Sequence, residues 1–103
     1  MNYTNYISGV IKILETPKQK FLKNNILVTK FRAQIPQRRN KQIVTVTFWG
    51  NIARDIVTNY KVDDYLLIEG FVSLRNKKSS DLKVSKFKKI EITVKKAYPF
   101  FLS

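Results

Sequence analysis

Residues 42–75 read QIVTVTFWGNIARDIVTNYKVDDYLLIEGFVSLR, and three structural signals follow one another within them. The first is a strict alternation of side chains from Gln42 to Trp49, which is the period of two that a β-strand with two different faces produces. One face carries Val44, Val46 and Phe48, and the other carries Ile43, Thr45, Thr47 and Trp49. Because Gly50 and Asn51 then interrupt the alternation, the pattern predicts a strand that ends at this Trp-Gly junction.

The second and third signals are a short helix and another strand. Asn51 is a favourable N-cap, because its side-chain oxygen can accept a hydrogen bond from the first helical turn. The apolar residues that would lie along the helix are Ile52, Ile56, Val57 and Tyr60. The Asp63-Asp64 pair predicts a turn, and residues 65–75 predict the strand that follows it.

The rest of the chain predicts three more strands, over residues 6–14, 26–35 and 84–94. Residues 18–25 are predicted as a basic turn region that ends in Asn24-Asn25, a pair that tolerates positive φ. In the first of these strands, one face carries Ile7, Gly9, Ile11 and Ile13. The further residues that we expect to face the core are Leu27, Thr29, Phe31, Ala33, Ile35, Ile90, Ile92 and Val94. Five strands with one short helix between the third and fourth follow the order of an OB-fold. The sequence therefore predicts an all-β, five-stranded OB-fold barrel that forms a single domain over residues 1–103.

The composition excludes several classes of function. The 103 residues include no Cys and no His, which excludes disulfides, zinc sites of the usual ligand types and Cys or His nucleophiles. The seven acidic residues form no paired-carboxylate motif, and there is no glycine-rich phosphate loop. No apolar run approaches the length of a membrane span. We therefore expect neither an enzyme nor a bound cofactor nor a membrane protein.

The charge points to a polyanionic partner. Twenty Lys and Arg residues against seven Asp and Glu residues give a net charge of +13. A domain this basic usually binds nucleic acid and less often an acidic membrane surface. The alternative is a bias of coding sequence, because an A·T-rich genome also enriches Lys, Asn, Ile, Phe and Tyr. Charge alone leaves both explanations open.

One block of the sequence resembles a known family. Residues 48–53 read FWGNIA and residues 67–75 read LIEGFVSLR. Together they resemble the bacterial and organellar single-stranded DNA-binding proteins, in which an aromatic-Gly-Lys-Leu-Ala motif precedes a helix and then Tyr-Ile-Glu-Gly-x-Leu-x-x-Arg. The resemblance extends over about residues 6–96, with Lys12 standing where the family usually has Asn or Arg. It implies an OB-fold that coats single-stranded DNA in replication, repair and recombination, stacking bases on aromatic platforms and contacting phosphates through Lys and Arg.

The resemblance and the predicted strand faces together indicate a nucleic-acid-binding surface. Trp49 matches the family's aromatic before glycine, and its alternative role is to close one end of the core. Phe71 is predicted to point outward among polar neighbours. The residues that we expect to contact nucleic acid are Lys12, Lys30, Arg32, Arg38, Arg39, Lys41, Thr45, Thr47, Trp49, Phe71, Ser73, Arg75 and Lys77.

The sequence also departs from the family pattern. Three positions at which the family has aromatic residues carry Arg38 or Arg39, Ile43 and Lys77 instead. We therefore expect binding to depend more on phosphate neutralisation and to be sensitive to salt. The family's tail with an acidic tip has no counterpart before Ser103, which implies a short form that lacks this recruiting segment.

Other ligands and assemblies remain open at this point. An OB-fold of this kind could bind RNA, act as a primosomal-type accessory protein, or belong to a ribonucleoprotein particle. The apolar first strand and the C-terminal residues Tyr98, Phe100, Phe101 and Leu102 predict a homodimer or homotetramer. Composition and resemblance favour the plastid stroma or nucleoid as the compartment, with a bacterial cytoplasm as the alternative.

Overall fold

The computed structural model describes residues 5–36, 40–76 and 88–101. Its strands are β1 (Asn5–Ile13), β2 (Lys18–Phe21), β3 (Leu27–Ile35), β4 (Gln42–Trp49), β5 (Tyr65–Asn76) and β6 (Lys88–Pro99). One α-helix, α1 (Asn51–Asn59), lies between β4 and β5, and a single 3₁₀ turn (Lys23–Asn25) joins β2 to β3.

Five of these strands close into a barrel. Neighbouring strands follow the order β1-β5-β6-β4-β3, and β1 pairs with β3 to complete the ring. The β4–β6 pair is parallel, whereas the other pairs are antiparallel. β2 pairs with the first half of β3, along the same edge that pairs with β1 farther along β3. The predicted five-stranded barrel, with one helix between its third and fourth strands, is confirmed.

The predicted alternation gives the core correctly. The buried apolar side chains on the strands include Ile11, Ile13, Leu27, Phe31, Ala33, Val44, Val46, Phe48, Leu66, Ile68, Ile92 and Val94. Ile7, Ile35 and Ile90 are partly buried and pack against this cluster. At its centre, the rings of Phe31 and Phe48 stack with their centroids 5.5 Å apart. The inward faces predicted for β3 and β6 are therefore confirmed, and the apolar faces that the alternation gave to β1 and β4 are the ones turned inward.

The helix covers one end of this core. Ala53 and Ile56 are fully buried, and the Thr29 hydroxyl donates a 2.8 Å hydrogen bond to the Ala53 carbonyl. The prediction of Asn51 as N-cap is wrong, because Gly50 occupies that position with φ +68° and Asn51 is already helical. The Gly50 N–H donates to the Leu27 carbonyl at 2.9 Å, so this positive φ directs the chain from the sheet into the helix. A residue without a Cβ adopts such a conformation at little cost.

Residues 18–25 form more regular structure than predicted. The basic turn region contains the strand β2, whose ladder with β3 runs from the Lys18–Lys30 pair to the Phe21–Leu27 pair. The predicted positive φ is confirmed at Asn24 (68°) and Asn25 (59°), which reverse the chain between the two strands. The sequence did not predict β2, because all four of its residues are exposed and no alternation of buried and exposed side chains marks the strand.

The last strand continues beyond its predicted end. β6 runs to Pro99, and its ladder with β5 ends at the Leu66–Pro99 pair, near the start of β5. Residues 84–87 of the predicted strand lie outside the described residues. The register shifts at Glu69/Gly70, which leaves one extra residue on β6. A Cβ at Gly70 would overlap the backbone carbonyl of Thr93. The glycine of the Ile-Glu-Gly sequence is therefore needed for the close approach of two backbones.

Candidate nucleic-acid interface

Trp49 lies on the outer face of the barrel. It occupies the last position of β4, pairs in register with Val28 of β3 and is 43% exposed. Its strand neighbour Phe48 points inward and is fully buried. The indole is therefore an open aromatic surface beside the core, and the alternative role of Trp49 as a plug of the core is excluded.

A basic hollow of about 520 Å³ opens beside this indole. Lys18 and Lys20 of β2 line it together with Lys30 of β3, and Val28 and Thr47 form part of its wall. We call it the Trp49 hollow. An aromatic ring flanked by three ammonium groups can stack a base while the adjacent phosphates are neutralised. Sequence reasoning missed Lys18 and Lys20, although the Asn24-Asn25 reversal could have revealed β2 as the partner of β3.

The strand registers connect this hollow to Phe71. Phe71 of β5 pairs with Thr93 of β6, Thr93 with Thr47 of β4, Thr47 with Lys30 of β3, and Lys30 with Lys18 of β2. Paired residues share one face of a sheet, and four interstrand steps span about 19 Å. These five residues form one band across the outer face of the barrel, which we call the transverse row.

Phe71 itself is half covered. The Tyr6 ring meets it edge-on, with the ring centroids 4.9 Å apart, and the Lys95 ammonium lies 5.9 Å from the Phe71 centroid. The Tyr6 hydroxyl donates a 3.1 Å hydrogen bond to the Glu69 carboxylate. Desolvation and this carboxylate raise the pKa of Tyr6. The predicted outward orientation is confirmed, but Phe71 belongs to an aromatic cluster at the β1–β5 side.

Arg32 already has an anionic partner. Its Nε lies 3.0 Å from Oε2 of Glu15, and its backbone N–H donates to Oε1 of the same carboxylate at 2.7 Å. The bond from the Arg32 backbone N–H is the main cause that lowers the pKa of Glu15. Arg32 is exposed on the predicted face, but part of its charge is compensated in the free protein.

Lys12 is directed toward a turn. Its ammonium lies 3.7 Å from Oδ1 of Asp63 and 5.9 Å from the centroid of the Tyr65 ring. Lys41, in contrast, is exposed immediately before β4. Of these two predicted contacts, Lys41 offers the more accessible charge.

The two predicted threonines are sheltered. Thr45 and Thr47 are each 6% exposed, although they lie on the outer face. In register, Thr45 lies between Arg32 and Glu91, and Glu91 is itself 9% exposed. Both threonines therefore lie at the bottom of the candidate interface, and their side chains expose little surface for a direct contact.

The remaining predicted contact residues lie near the end of β5 or outside the described residues. Ser73 is exposed and pairs with Glu91, and Arg75 pairs in register with Lys89. Arg38, Arg39 and Lys77 lie outside the described residues. The structure thus places Lys30, Thr47 and Trp49 around one hollow, adds Lys18 and Lys20 to them, and connects them to Phe71 through the transverse row. Lys12 is paired with Asp63 instead.

Comparison with known proteins identifies one curated relative with high coverage. No protein-family model matches the chain. A protein of Trieres chinensis, which carries the provisional name single-stranded DNA-binding protein ycf41, is 41% identical over 102 residues. The aligned region covers 95% of this chain and 90% of the relative.

Solved structures with the same fold include three bacterial proteins. The small single-stranded DNA-binding protein of Streptomyces coelicolor superposes with a TM-score of 0.79 at 18% identity, covering 97% of this chain and 94% of its own. The second such protein of Mycobacterium smegmatis gives 0.74 at 21% identity, covering 94% and 89%. The SSB domain of a Synechococcus protein gives 0.73 at 18% identity, covering 95% and 98%. These similarities confirm the OB-fold.

Proposed function

Because the chain belongs to the family of single-stranded DNA-binding proteins, we propose that it binds single-stranded DNA as one non-enzymatic domain, largely without regard to sequence. The observation that carries the proposal is the Trp49 hollow, where an exposed indole and three lysines share one face of the barrel. This combination supplies a π surface for any base and positive charge for its phosphates. In this role the protein coats single strands during replication, repair and recombination.

We infer that the bound strand follows the transverse row. Lys18 and Lys30 at one end contact phosphates, a base stacks on Trp49 beside them, and the strand continues toward Phe71. Because the floor residues Thr47 and Thr93 are small, the backbone of the nucleic acid can lie close to the sheet. Stacking and phosphate contacts are common to all sequences, which explains the expected lack of base preference.

The net charge of +13 supports the same function. It attracts a polyanion over long distances and raises the association rate at low ionic strength. Glu15 and Asp63 compensate Arg32 and Lys12 respectively, so the lysines around Trp49 are the cations that we assign to the first phosphate contacts.

Fluorescence titration tests the proposal directly, because Trp49 is the only tryptophan of the chain. Saturable quenching by oligo-dT, with weaker quenching by duplex DNA of the same length, is the expected result. Tighter binding of oligo-U than oligo-dT would assign the protein to RNA or a ribonucleoprotein particle. Quenching by duplex and single strand alike would contradict the single-strand proposal.

We further propose that the protein forms a homodimer or homotetramer through β1. Within the described residues, the edge of β1 that faces away from β5 is paired with β3 only at Lys12 and Ile13. An unprotected edge next to exposed Tyr6 and Tyr98 favours pairing with a second copy. Light scattering at micromolar concentration should give a mass of two or four chains, and a 12.1 kDa species would contradict this assembly.

We propose a plastid as the compartment. The proposal rests on the 41% identical relative from Trieres chinensis, a plastid-bearing organism. Immunogold labelling should place the protein in the stroma or over the nucleoid. Exclusive labelling of another compartment would contradict this assignment.

A further inference from the structure

A second concave surface lies away from the Trp49 hollow. It is a groove of about 370 Å³ where the end of α1, the start of β5 and the end of β6 meet. Four aromatic residues line it, with Asn59 and Asp64 between them: Tyr60, Tyr65, Phe100 and Phe101. We call it the aromatic groove. None of its residues lines the Trp49 hollow or belongs to the transverse row.

The backbone holds the walls of the aromatic groove in place. The Phe100 N–H donates to the Tyr65 carbonyl at 3.2 Å, which anchors the chain just beyond β6. The Lys61 N–H donates to Oδ2 of Asp64 at 3.0 Å, so this carboxylate closes the turn and remains at the groove. Yet Phe101 is 84% exposed, which is unusual for so large an apolar side chain.

Acidic residues are concentrated near the aromatic groove, where Lys12 and Lys61 also lie. Three of the seven acidic residues, Asp55, Asp63 and Asp64, lie at this end of the barrel. Burial raises the pKa of Tyr60, and the Asp64 and Asp55 carboxylates raise it further. Lys61 lines the adjoining hollow. Of these carboxylates, that of Asp64 lines the groove itself, where it attracts a cation and repels phosphates.

One ring of the aromatic groove, that of Tyr65, already has an ammonium group of the chain near it, although this lysine does not line the groove. Lys12 lies 5.9 Å from the Tyr65 ring centroid while its Nζ is 3.7 Å from the Asp63 carboxylate. A cation held by both a ring face and a carboxylate gains from the ring quadrupole and from charge pairing. Asp64 and the remaining rings of the aromatic groove offer the same combination to an external ligand.

We propose that the aromatic groove binds a Lys or Arg side chain from a basic peptide segment of another protein. The rings contact the aliphatic stem and the cation, and Asp64 accepts hydrogen bonds from the charged head. A groove of this volume is in the range of pockets that hold a small ligand, whereas a stable dimer usually requires about 800 Å² from each copy. It therefore favours a peptide anchor over a second copy of the barrel. This site would let the protein hold a basic partner while the Trp49 hollow holds DNA.

The test uses the full chain and three blocked tripeptides, Leu-Arg-Leu, Leu-Gln-Leu and Leu-Glu-Leu, each acetylated and amidated. In an NMR titration, Leu-Arg-Leu should give saturable shifts at the amides of Tyr60, Asp64 and Phe100. The Gln peptide should bind at least about fivefold more weakly, because it loses the cation–π contact, which contributes about 1 kcal/mol, and also the charge pairing with Asp64. The Glu peptide should not bind at the groove.

Two variants and a matched control sharpen this test. Phe101→Ala should weaken the Arg peptide about fivefold, whereas Phe21→Ala removes another exposed phenylalanine ring, on β2, and should change nothing. Asp64→Asn keeps an oxygen that can accept the turn hydrogen bond but removes the charge. It should weaken the Arg peptide and leave the Gln peptide unchanged.

Several results would overturn the proposal. They are the absence of saturable binding of the Arg peptide at millimolar concentration, equal binding of the Arg and Gln peptides, and displacement of the shifts to the Trp49 hollow. Groove shifts caused by oligo-dT would assign the surface to nucleic acid. A loss of oligomer mass in Phe101→Ala, without any change in peptide binding, would assign it to a second copy.

Discussion

Replacing Trp49 by alanine should weaken single-strand binding while leaving the domain folded. A base stacked on an aromatic ring contributes about 1–3 kcal/mol, so the affinity for oligo-dT should fall about 5- to 160-fold. Because the ring is 43% exposed and lies outside the core, its removal should lower the free energy of unfolding by only about 1 kcal/mol. Trp49→Phe keeps a smaller ring and should recover most of the affinity.

The neighbouring residue provides the control. Phe48 is fully buried and stacks on Phe31, so Phe48→Ala should lower the free energy of unfolding by about 3–5 kcal/mol. Anisotropy of a labelled oligo-dT of about 16 nucleotides measures binding, because the variant lacks its tryptophan signal. Thermal unfolding measures stability. The reasoning is refuted if Trp49→Ala binds within twofold of the parent, or if it is destabilised as strongly as Phe48→Ala.

Four other substitutions and one salt titration test the remaining parts. The logarithm of the oligo-dT affinity should fall with the logarithm of salt concentration by about 0.7 per phosphate contacted. Lys18→Ala and Lys30→Ala should each make this slope shallower by up to that amount. An unchanged slope would contradict the assignment of these lysines to phosphates. Glu15→Gln should release Arg32 and raise the affinity about two- to fivefold, as measured by the same anisotropy assay. The pKa of Glu15 is lowered in the folded state, so the carboxylate stabilises the fold fully above the ordinary pKa of glutamate. This stabilisation is lost as the pH falls through the lowered pKa. The unfolding curves of the unmodified protein and of Glu15→Gln should therefore converge in acid. Gly70→Ala should lower the melting temperature sharply, and an unchanged melting temperature would show that the two backbones can separate there.

The predicted core depended on information that is local in the chain. Alternation along β1, β3, β4 and β6 distinguished the inward from the outward face at nearly every position, since a strand exposes successive side chains on opposite sides. The same alternation placed Trp49 outside and Phe48 inside, as the structure confirms. The position of the helix also followed from local sequence, because the apolar period changes at Gly50.

The failures have equally specific causes. β2 lacks any alternation because all of its residues are exposed, so only its pairing with β3 defines it as a strand. Asn51 is a favourable cap by propensity, but the positive φ that connects β4 to α1 requires Gly50 at that position. Thr45 and Thr47 are on the predicted face yet buried, because burial there depends on neighbours contributed by other strands.

The sequence by itself determined the strand faces, the basic character and the family motif, because each is a property of consecutive residues. Only the tertiary structure decided that Lys18, Lys30 and Phe71 share one row, since this depends on the registers of five strands far apart in the chain. A register slip of one residue would move every side chain of a strand to the opposite face. The aromatic groove likewise exists only because the β5–β6 ladder brings Tyr65, and Tyr60 before it, next to the C-terminal phenylalanines, 35 or more positions later in the chain.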